Sequence, residues 1–262
     1  MAGWLANTEI VWLKSIFIRK FINIYRVNME EAEYSDPAHF ASFNDFFCRS
    51  LKSGARPVAA AENSIVSPAD GVFSQLGTIT SGRMLQAKGR DFSVIELLGG
   101  SERSCSLYEH GQYATIYLSP KDYHRLHMPI DGKLLSMTYI PGDLFSVNPT
   151  TADRVPQLFA RNERVVCLFE TSMGPVSLVL VGAMIVASIE TTWAGLVAPA
   201  GKKVVKTNYE TASIHFKKGQ EFARFKLGST IIMLFPSSAL RWSENAKIEK
   251  DICMGEIIAQ IE

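Results

Sequence analysis

The stretch Phe225-Lys226-Leu227-Gly228-Ser229-Thr230-Ile231-Ile232 decides how the chain is read. Phe222 to Phe225 leads into it, and Ile231 to Phe235 runs on from it as a block of apolar, β-type residues. A Gly-Ser pair between two such blocks reads first as a bend between strands, because glycine adopts backbone angles that other residues resist. The spacing predicts strands at Glu221 to Lys226 and Ile231 to Phe235.

Working back from that bend, the same texture fills the chain beyond Ser64. Strands are expected at Gly71 to Ile79, Tyr113 to Leu118, Lys133 to Ile140, Val165 to Thr171 and Val176 to Val186. Shorter ones are expected at Ile189 to Trp193 and Lys203 to Val205. Strands this frequent, with few helices between them, predict a mainly β fold, an antiparallel sandwich or barrel.

The N-terminal part differs. From Glu9 to Arg26, Ile10, Leu13, Phe17, Phe21 and Ile24 gather on one side of a helix, extended by Val11, Ile18, Ile22 and Tyr25. Lys14 falls inside the apolar arc, where its long stem lets the ammonium snorkel outward. Such a helix suits a membrane interface or the protein's own core; bulky apolar residues and clustered positive charge favour the membrane. A second helix is expected from Asp36-Pro37 through Phe40, Phe43, Phe46 and Phe47, and a third over Ser93 to Leu98. These amphipathic helices before a β body make the chain α+β overall. The boundary falls near Arg56-Pro57, giving segments 1–56 and 57–262.

With 27 basic against 26 acidic residues, the chain lacks the basic excess that nucleic acid demands. Four scattered cysteines, with no C-x-x-C pair, fit a reduced compartment rather than a disulfide framework or a zinc site. No stretch approaches the roughly 20 uninterrupted apolar residues of a membrane span. No phosphate loop of the Walker or dinucleotide type is present.

Three stretches carry chemistry. Ser67-Pro68-Ala69-Asp70-Gly71 is a tight turn whose Asp70 suits capping backbone N–H groups. Tyr117 to Pro129 places His124 and His127 in a polar loop, without the further Cys or His that a metal set needs, so no metal is expected. The third is the Leu227-Gly228-Ser229-Thr230 turn. The order Asp, His, Ser allows a carboxylate to orient an imidazole that takes a proton from a hydroxyl. An acyl-ester hydrolase with Ser229 as nucleophile fits that order, although G-x-S-x-G is absent. A lipid-binding or carrier module with Lys88 on a hairpin tip is a third reading.

S-P-A-D-G-V (Ser67 to Val72), L-Q-A-K-G (Leu85 to Gly89) and Y-L-S-P-K-D-Y-H-R-L-H-M-P (Tyr117 to Pro129) resemble the phosphatidylserine decarboxylase family. So do P-G-D-L-F-S-V-N (Pro141 to Asn148), L-F-A-R-N-E-R-V (Leu158 to Val165) and V-G-A-M-I-V-A-S-I-E-T-T-W-A-G (Val181 to Gly195). F-K-L-G-S-T (Phe225 to Thr230) closes the series, in the manner of the bacterial, membrane-bound members with L-G-S-T. Past Ser237 little aligns.

The resemblance implies a pyruvoyl-dependent carboxy-lyase made as an inactive proenzyme. Asp70 would orient His127, and His127 would deprotonate Ser229 Oγ for attack on the carbonyl of Gly228. Elimination and hydrolysis then separate residues 1–228 from 229–262 and leave a pyruvoyl group at position 229, the only cofactor implied. Its ketone would form a Schiff base with phosphatidylserine and release CO₂, giving phosphatidylethanolamine. His124 is the candidate for substrate positioning or for protonating the carbanion; Lys121 and Arg125 are candidates to meet the lipid phosphate. The resemblance further implies a heterodimer of the two fragments, open to higher homo-oligomers, on the cytoplasmic face of the cell membrane as a peripheral protein.

Overall fold

Residues 225 and 229 belong to different sheets, and that separation organises the molecule. A computed structural model describes residues 6–87, 89–100, 102–183, 188–226, 229–236 and 240–262. Ser229–Phe235 forms a strand (β15) with all seven residues buried. A run this apolar fits only a position covered on both faces. It lies antiparallel between Gln112–Leu118 (β5) and Gly174–Gly182 (β9), with Ser229 opposite Leu118 on one side and Gly182 on the other.

Around this centre a nine-stranded sheet runs in the order β12-β7-β8-β9-β15-β5-β2-β17, with β13 also paired to β7. Its other members are Gly71–Thr78 (β2), Gly132–Ile140 (β7), Arg164–Thr171 (β8), Val205–Asn208 (β12), His215–Phe216 (β13) and Asp251–Ile252 (β17). A four-stranded sheet joins Gly195–Ala198 (β11), Ile189–Thr191 (β10), Glu221–Phe225 (β14) and Arg125–His127 (β6) in that order. Ser64–Val66 (β1), Ile257–Ile261 (β18) and Leu240–Trp242 (β16) make a third sheet, and Arg83–Ala87 (β3) with Arg90–Ser93 (β4) a hairpin. The fold is thus mainly β and antiparallel, as its texture predicts, and no closed barrel forms among the described residues.

Alternation along β15 sorts the core into two layers. Ile231, Met233 and Phe235 pack with Leu126, Phe222 and Phe225 of the small sheet. Ile232 and Leu234 pack on the opposite face with Phe92, Leu97, Leu158 and Phe159. Ser229 shares the parity of Ile231, so it opens the strand on the side of the small sheet.

The first helix (α1, Val11–Tyr25) forms where its pattern predicts, but its inward side is narrower. Ile18 and Lys14 are buried, and Phe21 and Ile22 pack on Phe40, Phe43, Phe46 and Phe47. Lys14 does not snorkel: its Nζ donates to the Phe40 carbonyl, since the aromatic wall closes over it. Val11, Trp12, Ile16 and Ile24 point outward, 60–66% exposed.

The second expected helix is two pieces, a 3-10 turn at Pro37–His39 capped by Asp36 and a helix at Phe43–Phe47 (α2). Phe40 between them is extended because Ser42 starts a new cap, its hydroxyl accepting from Asp45 N. The third helix, Val94–Leu97 (α3), is capped by Ser93 Oγ and ended by left-handed Gly99 and Gly100.

Gln86 explains why L-Q-A-K-G needs a glutamine in a strand. Fully buried, it donates to the carbonyls of Ala152 and Val155 and accepts from Leu158 N, stapling 149–158 to β3. Lys88 of the same motif lies outside the described residues. Gln86→Met strands those backbone groups, each worth about 1–3 kcal/mol when left unpaired. Urea unfolding should show a loss of at least about 2 kcal/mol; an unchanged midpoint would mean the segment is held elsewhere.

Candidate active site

The site is assembled where the small sheet meets the loop before β2. His127 ends β6, and the strand's alternation sends Leu126 into the core and His127 to the other side. His127 N donates to the Pro68 carbonyl at 2.8 Å, which fixes β6 against the Ser67-to-Gly71 turn. Gly71 is dictated by a close approach, for a Cβ there would stand 2.3 Å from the Tyr117 carbonyl oxygen. The stretch expected as a wholly polar loop therefore contains a strand, and that strand supplies the rigidity.

Two contacts fix the His127 ring. Nδ1 lies 2.8 Å from the Gly219 carbonyl, which only accepts, so Nδ1 carries the proton. Nε2 is then the basic nitrogen, and the Tyr123 hydroxyl donates to it at 3.0 Å. Burial holds the imidazole below its ordinary pKa, opposed by the Gly219 carbonyl and by the nearby carboxylates of Glu221 and Asp70. A neutral imidazole with one unprotonated nitrogen is the form a general base needs, here with the Tyr123 hydroxyl bonded to that nitrogen.

Asp70 is buried, and its carboxylate accepts from Arg56 Nε at 2.9 Å, Arg56 Nη2 at 2.6 Å and Met254 N at 2.8 Å. Among the described residues it makes no hydrogen bond to His127; the ring's orienting partner here is the Gly219 carbonyl. Arg56 also bridges to Glu31 at 2.8 Å, so one guanidinium ties the N-terminal part to the turn. Its hydrogen bond to Asp70 leads the causes that raise its pKa.

His124 is fully buried against the ring of Phe47, centroids 4.0 Å apart. Nδ1 donates to the Asp122 carbonyl at 2.8 Å, as a purely structural histidine would. Its Nε2, also buried, has no partner among the described residues. The His124 carbonyl accepts from Phe225 N at 3.0 Å, and Cys48 Sγ donates to the Phe225 carbonyl at 3.1 Å. The approach to Ser229 is therefore clamped on both sides.

Ser229 Oγ is buried with no hydrogen-bond partner among the described residues. The structure thus brings together the Asp70 turn and His127, and separately His124 and the end of β14. It makes no side-chain hydrogen bond within the set Asp70, His127, Ser229. Gly228 and Leu227 lie outside the described residues.

Sequence reasoning missed Tyr123, Gly219, Arg56 and Arg49. Tyr123 sits inside a quoted motif, but nothing in its spacing tells that its hydroxyl meets His127. Arg125, a candidate for phosphate, is already engaged by the Cys48 carbonyl at 2.8 Å and Glu221 at 3.1 Å. Among the described residues, no group of three or more His, Cys, Asp or Glu could hold a metal ion.

Burial lowers the His124 pKa from 6.5 to about 3. Below pH 6.5 the unfolded chain therefore binds the proton first. The stabilising contribution is whole above that pH and drains away as pH falls towards about 3. Between pH 5.5 and 4 the wild type should lose roughly 1.4 kcal/mol per pH unit relative to His124→Asn. Parallel pH profiles in urea unfolding would show that this ring is not buried neutral.

The model of the family described as phosphatidylserine decarboxylase matches residues 43–260. A phosphatidylserine decarboxylase proenzyme of Saccharophagus degradans is 52% identical over 100% of this chain and 92% of its own length. The protein of that name from Psychromonas ingrahamii is 53% identical over 99% of this chain and 91% of its own. The one from Stutzerimonas stutzeri is 51% identical over 99% and 89%. A match that takes in the Asp70 turn, both histidines and the strand headed by Ser229 shows that the chain belongs to the phosphatidylserine decarboxylase family.

Proposed function

We propose that the chain is a phosphatidylserine decarboxylase proenzyme that cuts itself between residues 228 and 229. Ser229 becomes a pyruvoyl group, and the processed enzyme converts phosphatidylserine to phosphatidylethanolamine. The observation that carries this reading is Ser229 itself, a hydroxyl buried without a partner among the described residues at the head of the central strand. A buried polar atom left unpaired is costly, and a residue destined for conversion gives it a purpose. The site therefore fits the precursor of such a group.

A ketone at position 229 would supply an electrophile for the substrate's primary amine and a sink for the electron pair left as CO₂ departs. The chain's own residues have narrower tasks. For self-cleavage, Ser229 Oγ must lose its proton, and His127 Nε2 is the nitrogen held in basic form. Asp70 supplies negative charge beside that ring, to balance the imidazolium that results. His124 is too deeply buried to store a proton, so we assign it to positioning the substrate rather than to acid catalysis.

The two fragments, 1–228 and 229–262, would stay together through backbone pairing. β15 is laddered to β5 and β9, β17 to β2, and β18 to β1. The acyl-ester hydrolase reading finds no support among the relatives, which are named phosphatidylserine decarboxylase proenzymes.

We further propose that residues 1–56 attach the enzyme to the cytoplasmic face of the membrane, with 57–262 as the catalytic part. No helix among the described residues is long and apolar enough to cross a membrane. The outward Trp12, Ile16 and Ile24 instead suit an α1 lying in the interface.

Intact-mass analysis tests the first proposal. Wild type should give two chains, the smaller without a free α-amine, whereas Ser229→Ala and His127→Ala remain one chain without CO₂ release. His124→Ala should be cut yet lose about 10²-fold in turnover, the scale of loss when a bound reactant is misplaced by about 1 Å. An uncut His124→Ala protein would mean that the two histidines have exchanged roles. Removing residues 1–26 bares Phe43 and Phe46, so Trp12→Gln with Ile16→Gln and Ile24→Gln is the cleaner membrane test. That variant should leave anionic vesicles in a flotation assay while still cutting itself; continued flotation would refute the helix's role.

A further inference from the structure

A cavity of about 260 Å³ opens beside the site, lined by Arg26, Arg49, Arg56 and Lys121 together with Asp70 and Tyr123. At about 30 Å³ per water it has room for a small polyatomic anion. Its cations are not equivalent. Arg56 is consumed by Glu31 and Asp70. The Asp122 carboxylate, also on the wall, is bound by the hydroxyl and N–H of Ser119.

Arg49 is the anomaly. It is 4% exposed, and among the described residues it has no ion-pair partner. Its Nη2 donates to the Lys121 carbonyl at 2.9 Å and to the Asp122 carbonyl at 3.4 Å, and its guanidinium carbon lies 5.6 Å from the Phe46 ring centroid. Its Nε and Nη1 are buried without an acceptor among the described residues. The Asp70 and Asp122 carboxylates on the same wall offset the burial of this guanidinium only in part, and a further anion beside it would complete the compensation. Lys121, on the next wall, adds a second positive charge without a carboxylate partner among the described residues. Tyr123 connects the cavity to the ring of His127.

Resting on the decarboxylase reading, we infer that Arg49 and Lys121 form an oxyanion site that holds the phosphodiester of the phosphatidylserine head group. The substrate brings two anions, a carboxylate and a phosphodiester. The carboxylate must leave as neutral CO₂, and a tightly paired cation would stabilise it in the ground state and oppose that loss. The phosphodiester keeps its charge throughout, so the same cation can hold it in substrate and product alike. The site also adjoins Arg26, which caps the end of α1, and so lies beside the face proposed to meet head groups.

Calorimetry on full-length Ser229→Ala protein tests this without any pyruvoyl group. The probes are glycerophosphoserine, glycerophosphoethanolamine, free serine and inorganic phosphate. Both glycerophospho compounds should bind, weakening at least tenfold with Arg49→Gln and at least threefold with Lys121→Met. Free serine should not respond to either change. Equal affinities with and without Arg49, or weakening confined to the carboxylate-bearing probe, would overturn the assignment. Inorganic phosphate binding tighter than either glycerophospho compound would overturn the head-group source. Should Arg49→Gln fail to fold, the exposed Lys121→Met decides: unchanged binding refutes the site. Failure of the wild type to cut itself would refute the decarboxylase reading instead, and binding to Ser229→Ala does not depend on it.

Discussion

The ladder that seats residues 229–235 between β9 and β5 is the constraint on which the rest depends. Every residue of that strand is buried, and its backbone is paired on both sides. A strand held so completely keeps its first residue fixed whatever happens to the chain ahead of it. Phe225, four residues earlier, is held by different partners, His124 and the small sheet. A bond broken between two such anchorages leaves both ends where they were, because neither relies on the other for its hydrogen bonds. Burial of the side chains from β15, at about 1.5–3 kcal/mol for each large apolar residue, is likewise independent of that bond.

The same burial sets the electrostatics. Both histidines lie in surroundings that disfavour the charged ring, and the largest cause for each is loss of water. The difference between them is in what the protein offers back. His127 keeps carboxylates nearby and a hydroxyl on Nε2, so a proton arriving there has negative charge to meet. His124 has Phe47 on its face and the Arg49 cation near it, so a proton arriving there has none. Two histidines three residues apart thus acquire different capacities from their walls alone.

Much of this was legible in the sequence, and the failures have physical causes. The apolar block Ile231 to Phe235 and the runs at 112–118, 132–140 and 164–182 are read from composition because covered strands must be apolar. β1, β6, β16 and β18 escape notice because each is short and pairs with a partner distant in the chain; β1 and β18 are paired Ser64 to Gln260. The helix expected across Phe40 breaks because a serine cap at residue 42 outweighs helical spacing. The residue types Asp70, His124, His127 and Ser229 announce chemistry, but their wiring does not. That the His127 tautomer is set by the carbonyl of Gly219, 92 residues away, is a property of the fold that no local pattern carries.

Arg56 ties the N-terminal part to the candidate site. It marks the boundary in the sequence, yet in the fold it joins Glu31 on one side to Asp70 on the other. Phe47 covers His124, Cys48 binds the carbonyl of Phe225, and Arg49 reaches the carbonyls of 121 and 122. Contacts from Phe47, Cys48, Arg49 and Arg56 therefore reach the 121–124 stretch, the end of β14 and the Asp70 turn. A helix lying on a bilayer would be coupled to the site through this strap, with no hinge needed between the part that docks and the part that reacts. Breaking an ion pair as buried as Arg56–Asp70 leaves an uncompensated charge, a cost of about 3–5 kcal/mol. The strap and the turn are thus held to move together or not at all.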